Sequence, residues 1–335
     1  MSTMTPIERM HAVLSGQQPD RPPVSFWCHF DAQCAAGPAA LDAHLEHLDR
    51  FGLDFLKVMN DNPYPTLAVI QRADDLRGLP VLSGDEEGFG LQLELIRALA
   101  SELSGKVLLS TTLFNGWTVL RRIVTPRTDK THRPPVLNGA ISPVDARLGE
   151  LLAEDRSAVA DALGAISKSL ANFAERSIEA GADGIFLSVR EDWVNTDENG
   201  MHTYGEIVAR GDREILDAAG GGCMNILHVC GTPQNLATFA EYPVHVINWA
   251  DRAAGPAIRD VIGHVKPVVC GGIDNLTTLP NGSREDVRRE AEDALSQAGE
   301  RPMILSAGCT YDPNAVPEEN LSAMVAAARS ATLGE

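Results

Sequence analysis

Short apolar runs alternate with longer segments of helical periodicity along the chain. Runs that are apolar at nearly every position are typical of parallel strands covered on both faces. The alternation therefore predicts an α/β fold, a single (β/α)8 TIM barrel, in one domain over residues 1–335, with an N-terminal helix (Pro6–Ser15) across one end. The eight predicted strands are Pro23–Trp27, Phe55–Met59, Lys106–Thr112, Gly184–Val189, Met224–Val229, Val244–Trp249, Pro267–Ile273 and Met303–Gly308.

The segments between these runs carry helix start signals. Ser142 and Pro143 supply a cap and a first-turn proline to a helical pattern that ends at Gly181. Ser283 with Asp286 resembles a capping box. These signals predict helices that connect one parallel strand to the next.

Two connections are unusually long, Asp61–Gly88 and Thr125–Ser142. Both follow predicted strands, so we expect them near the carboxyl ends of the strands. Barrel enzymes carry out their chemistry at that rim.

Composition and charge exclude several classes of protein. The 335 residues include 28 Lys and Arg against 46 Asp and Glu, a net charge of −18 that repels nucleic acids and anionic lipid surfaces. The hydrophobic fraction of 44% is enough for a large core and excludes disorder. The N-terminus carries Glu8 and lacks the apolar stretch of a signal peptide, and no segment is apolar enough to span a membrane. We expect a cytoplasmic protein with a small-molecule substrate and neither nucleic-acid nor membrane partners.

The six cysteines are too sparse for a disulfide framework, which favours free thiols or metal ligands. Cys223 and Cys270 are interpreted as turn or core thiols. The others of interest are Cys230, in the sequence His228-Val229-Cys230 at the end of the predicted fifth strand, and Cys309, at the end of the eighth.

Residues two apart on a strand point to the same side, so His228 and Cys230 can converge on one point. Barrel closure brings the end of the eighth strand, with Cys309, near them. One imidazole and two thiolates with an open fourth position are typical of catalytic zinc. The alternative is structural, because cysteine is often buried and a histidine can be hydrogen-bonded in a core.

Four motifs carry a family resemblance. The chain contains RPPV (Arg21–Val24), HVCG (His228–Gly231), GGID (Gly271–Asp274) and SAGC (Ser306–Cys309). With the predicted fold, they resemble the uroporphyrinogen decarboxylase (URO-D) superfamily over essentially the whole chain. The His-x-Cys with a distant Cys is similar to its branch of zinc-dependent methyltransferases, which exchange methyl groups between corrinoid proteins and thiols. The resemblance implies zinc held by His228, Cys230 and Cys309, a thiol in the open position, and methylcobalamin or a corrinoid protein as methyl partner.

The chain departs from the decarboxylases of this superfamily near its N-terminus. Those enzymes carry a loop of the form RQAGR that binds substrate propionates, whereas this chain has WCHFDAQCA (Trp27–Ala35), which lacks arginine. His29 stands in that segment and is a candidate to bind a smaller substrate, or is a surface histidine. The resemblance matches Asp61 to the decarboxylase aspartate that follows the second strand, which makes it a candidate catalytic residue; alternatively, it begins a turn before Pro63.

Four further residues follow predicted strands and are weaker candidates. Asn115 and Trp117 are candidates for substrate contact, although Trp117 can equally pack a loop. Glu191 can donate a carboxylate to metal or substrate, or remain a solvated rim residue. Asp274 is a second catalytic candidate, or a cap of the loop that follows it.

Three functions follow from these observations. The leading one is zinc-dependent methyl transfer between a corrinoid and a thiol or similar acceptor. A carboxy-lyase of the uroporphyrinogen decarboxylase type, with Asp61 stabilising a protonated pyrrole, is the enzymatic alternative. The third is a non-catalytic barrel that binds a ligand or a corrinoid protein.

Overall fold

The computed structural model describes residues 3–65, 69–124, 143–233 and 235–331, so the predicted connection Thr125–Ser142 lies outside the described residues. Seven strands form one sheet whose order follows the chain, and every neighbouring pair is parallel. They are β1 (Phe55–Val58), β2 (Leu108–Phe114), β3 (Gly184–Val189), β4 (Ile226–Val229), β5 (Val246–Trp249), β6 (Val268–Ile273) and β7 (Ile304–Ala307).

Helices connect the strands, as the alternating pattern predicts. The α-helices are α1 (Pro6–Leu14), α2 (Gly37–Phe51), α3 (Glu87–Leu103), α4 (Gly116–Val124), α5 (Pro143–Glu154), α6 (Arg156–Glu179), α7 (Ala209–Ala218), α8 (Leu236–Phe239), α9 (Ile258–Val261), α10 (Thr278–Asn281), α11 (Arg284–Ala298) and α12 (Glu318–Ser330). Short 3₁₀ turns lie at Ala32–Cys34 and Ala73–Gly78, and a π-helical turn at Tyr204–Val208. The helices of the described residues include none that is long and apolar enough to cross a membrane.

The predicted first strand, Pro23–Trp27, is not a strand of this sheet. Val24 forms a single parallel bridge with Leu305 of β7, and its carbonyl accepts a hydrogen bond of 2.9 Å from the amide of Asp54. The amide of Val24 donates to the Asp54 carboxylate at 2.8 Å instead of to a neighbouring backbone, and Pro23 has no amide proton to donate. The side-chain acceptor and the missing amide proton interrupt the backbone hydrogen bonds of a strand at this position. The sheet is therefore a seven-stranded curled half-barrel, and an eight-stranded barrel is not confirmed.

The helical pattern predicted from Pro143 to Gly181 forms two helices rather than one. Asp155 separates α5 from α6, with extended backbone angles (φ −155°, ψ 96°), and its carboxylate accepts from the amide of Ala158 at 3.0 Å. The residue acts as the N-cap of α6, a role that competes with continuing the helix. The capping box of Ser283 and Asp286 is confirmed at the start of α11.

The sheet separates two hydrophobic clusters. The larger one lies between the sheet and its helices, and the smaller one fills the concave side. Met10 and Val13 of α1 belong to the concave cluster, together with residues near the amino ends of the strands such as Phe55, Leu108 and Ile226. Further along the same strands the alternating concave positions become polar, at Lys57, Ser110, Ser188, His228, Asn248 and Ser306. The fold therefore concentrates polar side chains toward the carboxyl ends of the strands.

Candidate metal centre

His228, Cys230 and Cys309 come together at the carboxyl ends of β4 and β7. His228 lies on β4, Cys230 follows its last residue, and Cys309 follows β7. The ligand atoms of the three residues all lie within 4.8 Å of one another, and Cys309 Sγ lies 3.3 Å from His228 Nε2. The histidine is buried and both cysteines are partly exposed. The structure thus joins the three predicted ligands in one cluster.

The spacing of these atoms fits a tetrahedral zinc ion. Typical Zn–N and Zn–S bonds place neighbouring N and S ligands about 3.6 Å apart and neighbouring S ligands about 3.8 Å apart. The observed 3.3 Å between nitrogen and sulfur needs an adjustment of only a few tenths of an ångström. A borderline N1S2 donor set also suits zinc.

Asn248 on β5 sets the orientation of His228. Its amide nitrogen donates to the carbonyls of Cys270 at 2.8 Å and Ala307 at 3.3 Å, which turns the amide oxygen toward the imidazole. That oxygen lies 2.5 Å from His228 Nδ1, so Nδ1 carries the proton in this arrangement. The lone pair of Nε2 then faces Cys309. A second hydrogen bond that fixes the ring and its tautomer is typical of histidines that bind metals.

The two thiols differ in acidity. The hydrogen bond with Cys230 lowers the pKa of Cys309 to about 7. The same hydrogen bond, with burial, raises the pKa of Cys230. The shared hydrogen bond therefore favours ionisation of Cys309 over that of Cys230.

Lys57 on β1 is a functional candidate that the sequence reasoning missed. Its side chain is only 5% exposed. Nζ contacts Met59 Sδ at 3.1 Å and lies 4.3 Å from the ring centre of Phe186 and 5.4 Å from that of Trp27. Burial lowers the pKa of Lys57 to about 7. The available signal was a lysine at an inward position of an otherwise apolar strand, between Phe55 and Met59.

The acidic residues after β3 hold the loop that follows Cys230. The amide of Thr232 donates to Asp192 Oδ2 at 3.1 Å, and the amide of Asn235 donates to Glu191 Oε2 at 3.0 Å. Glu191 is 6% exposed, so it is not a solvated rim residue. These contacts assign it a role in loop structure, and its predicted contact with metal or substrate remains a prediction.

His29 and Asp61, predicted separately, form a pair. His29 Nδ1 lies 2.6 Å from Asp61 Oδ1, and their side chains are 20% and 32% exposed. The two residues come from the segment before α2 and the connection after β1. They present a partly exposed polar pair near the carboxyl end of β1.

Asn115, Trp117 and Asp274 have evident packing or capping roles. Asn115 Oδ1 accepts from the amide of Thr118 at 3.1 Å, and its amide nitrogen donates to Tyr204 at 3.2 Å. Trp117 is 1% exposed within the cluster between sheet and helices. The Asp274 carboxylate accepts from the backbone amides of the next loop at 2.7 and 3.1 Å. Asp274 therefore has the capping role that was its alternative, Trp117 packs in the core on α4, and substrate contact by Asn115 remains a prediction.

Cys223 and Cys270 match their interpretation as turn or core thiols. Cys270 is buried in the concave cluster, and Cys223 is exposed in the turn before β4. Both are free thiols outside the three-residue cluster. They therefore serve as controls for changes at Cys230 and Cys309.

Comparison with solved structures shows the fold over the full length of the chain. A methyltransferase from Methanosarcina mazei superposes with a TM-score of 0.75 at 17% identity, covering 97% of this chain and 98% of that one. A B12-independent methionine synthase from Shewanella sp. W3-18-1 gives a TM-score of 0.45 at 14% identity, over 71% of this chain and 65% of that one. No curated protein matches the sequence.

The family assignment rests on a sequence profile. The profile of uroporphyrinogen decarboxylase (URO-D) matches residues 45–331, which include the seven described strands and His228, Cys230 and Cys309. This agrees with the parallel sheet and its site at the carboxyl ends of the strands. The chain belongs to the uroporphyrinogen decarboxylase (URO-D) family.

Proposed function

We propose that this protein is a zinc-dependent methyltransferase that moves a methyl group between a corrinoid and a thiol or similar acceptor. The observation that carries the proposal is the orientation of His228. Asn248 fixes Nδ1 and leaves Nε2 facing the thiols of Cys309 and Cys230, an arrangement that is typical of histidines that bind metals. The M. mazei protein is a methyltransferase by description, which supports the proposal at the level of fold.

The protein's own residues supply binding and orientation. His228, Cys230 and Cys309 would hold the metal through three ligands and leave a fourth position to the substrate. Zinc at this site would lower the pKa of a bound thiol, so that a thiolate nucleophile is available at neutral pH. His29 and Asp61, a partly exposed pair, are our candidates for contacting the substrate. Methylcobalamin or a methylated corrinoid protein is the proposed methyl partner.

The test is an assay for methyl transfer with the metal content measured on the same preparation. Purified protein is incubated with methylcobalamin and a panel of thiols, and the loss of the cobalt-bound methyl group is followed by absorbance. Methylated thiol, identified by mass spectrometry, would support the proposal. Release of carbon dioxide from uroporphyrinogen without methyl transfer would favour the carboxy-lyase. If the protein contains no zinc and catalyses neither reaction, that result would favour the non-catalytic barrel.

Two variants serve as a matched pair in this assay. Cys309→Ser removes a clustered thiol, whereas Cys270→Ser removes a buried thiol from the concave cluster. We expect the first to lose both zinc and methyl transfer and the second to keep both. Equal activity in the two variants would contradict the assignment of the site.

A further inference from the structure

Lys57 is a buried amine that contacts no carboxylate among the residues that the structure describes. Its side chain is 5% exposed, and its contacts are the Met59 sulfur and the rings of Phe186 and Trp27. Ser110, its register partner on β2, is also buried, and within the described ranges its hydroxyl has no hydrogen-bond partner. Burying an ammonium group without a counter-charge is costly. A nearby negative charge would therefore stabilise the protonated form of Lys57.

The metal centre is close enough to supply that charge. The Phe186 ring stacks on the His228 imidazole with their centres 5.4 Å apart, and Lys57 Nζ lies 4.3 Å from the centre of Phe186. Lys57 Nζ can therefore lie no farther from the His228 ring centre than the sum of these distances, 9.7 Å. Negative charge on Cys309, and more weakly on Asp61, favours the protonated form of Lys57 and opposes the lowering of its pKa by burial.

The charge of the centre depends on its fourth ligand. The negative charges of two thiolates cancel the charge of a divalent metal ion, and a neutral histidine adds no charge. A neutral fourth ligand leaves the centre uncharged, whereas an anionic one leaves it with one buried negative charge. A metal on Nε2 would lie about 3 Å beyond the ring centre, so Lys57 Nζ lies within about 13 Å of it. An ammonium group at that separation stabilises the second state and has little effect on the first.

We infer that Lys57 is the counter-cation of the metal centre, a positioning residue that selects anionic over neutral fourth ligands without touching the metal. The inference rests on the proposed function, because it requires a divalent metal on His228, Cys230 and Cys309. It deepens that function by assigning a ligand preference to a residue outside the ligand set. The expected effect of the charge is about tenfold in affinity, from Coulomb's law at this separation and an effective dielectric constant of roughly 20.

The test uses cobalt(II) as a spectroscopic replacement for zinc and compares Lys57→Met with the unmodified protein. Methionine preserves the length and buried character of the side chain and removes its charge, so we expect the variant to fold. Azide serves as the anionic probe and imidazole as the neutral one, and the visible spectrum of cobalt reports both. Lys57→Met should bind azide about tenfold more weakly and imidazole within twofold of the unmodified protein. Lys106→Met, which makes the same change in net charge on the surface at the far end of β2, should alter neither affinity.

Several outcomes would overturn the inference. Unchanged azide affinity in Lys57→Met, or an equal loss of azide and imidazole, would show that the charge does not select ligands. Loss of cobalt from Lys57→Met, or no cobalt binding in the unmodified protein, would overturn it as well. A selective loss of azide in a protein that transfers no methyl groups would support the role of Lys57 and contradict the proposed methyl transfer.

Discussion

His228 Nδ1 lies 2.5 Å from Asn248 Oδ1, and the two residues face each other in direct register on β4 and β5. Asn248 is itself fixed by donating to two backbone carbonyls. One buried amide thereby sets the tautomer and the direction of the imidazole before any metal binds. A partner of this kind fixes the orientation of a metal-binding histidine and raises its basicity as a ligand.

Replacement of this partner should weaken the metal site. Asn248→Leu removes the acceptor of the Nδ1 proton, and we expect zinc affinity to fall about 10- to 100-fold. Competition with a chromophoric chelator measures the change. Asn320→Leu is the control, since Asn320 is equally buried and donates to the Leu279 and Gly282 carbonyls away from the site. Equal zinc affinity in both variants would remove Asn248 from the metal site.

Removal of a ligand should cost metal but little stability. The site lies on the ends of strands whose two hydrophobic clusters are complete without it. Cys309→Ser and His228→Ala should each lose zinc and turnover, while the unfolding temperature changes by only a few degrees. Cys270→Ser and Cys223→Ser should retain zinc. Full zinc content in both ligand variants would refute the site, and zinc loss accompanied by unfolding would indicate a structural zinc.

Gly231 couples the Cys230 turn to the acidic residues after β3. It has φ +75°, and a Cβ atom there would lie 2.6 Å from Arg190 Nε and from Asp192 Oδ2. Gly231→Ala should displace this pair, shift Cys230 and weaken zinc binding, in addition to a backbone strain on the order of 1 kcal/mol. Zinc titration and thermal unfolding measure the two effects.

Gly16 provides the matched control for this change. Its φ is +73°, and an added Cβ atom would meet nothing within 4 Å. Gly16→Ala should therefore show the backbone strain alone, with unaltered zinc affinity. If both variants bind zinc equally well, the coupling between Gly231 and the metal site is wrong.

Asp212 should make stability depend on pH. It is 1% exposed, accepts from the Tyr204 hydroxyl at 2.5 Å, and has its pKa raised by burial from 3.8 to about 6. Between these two pKa values the folded state binds the proton of Asp212 more tightly than the unfolded state does. The contribution of Asp212 to stability therefore falls as pH rises from 4 to 6 and is constant above pH 6.

Asp212→Asn lacks this titration and keeps an acceptor for Tyr204. The free energy of unfolding of the variant, relative to the unmodified protein, should therefore rise between pH 4 and pH 7, by as much as about 3 kcal/mol. Urea denaturation at both pH values measures the difference. A difference that is independent of pH would show that Asp212 does not titrate in this range.

Local patterns in the sequence predicted seven of the eight proposed strands and placed two of the three clustered residues on one side of a strand. Apolar runs marked the strands, the Ser283–Asp286 pair marked a helix start, and the spacing of His228 and Cys230 placed both on one side of a strand. These features depend on residues a few positions apart, where backbone geometry dictates which side chains share a face.

The tertiary structure alone decided which distant residues meet. Asn248 became the partner of His228 through the register of β4 and β5, and the stacking on Phe186 brought Lys57 toward the same centre. Asp54 took the amide of Val24 and ended the ladder where an eighth strand was predicted. Each outcome depends on sheet curvature, register and competition between side-chain and backbone acceptors, which are non-local and leave no periodic signal in the sequence.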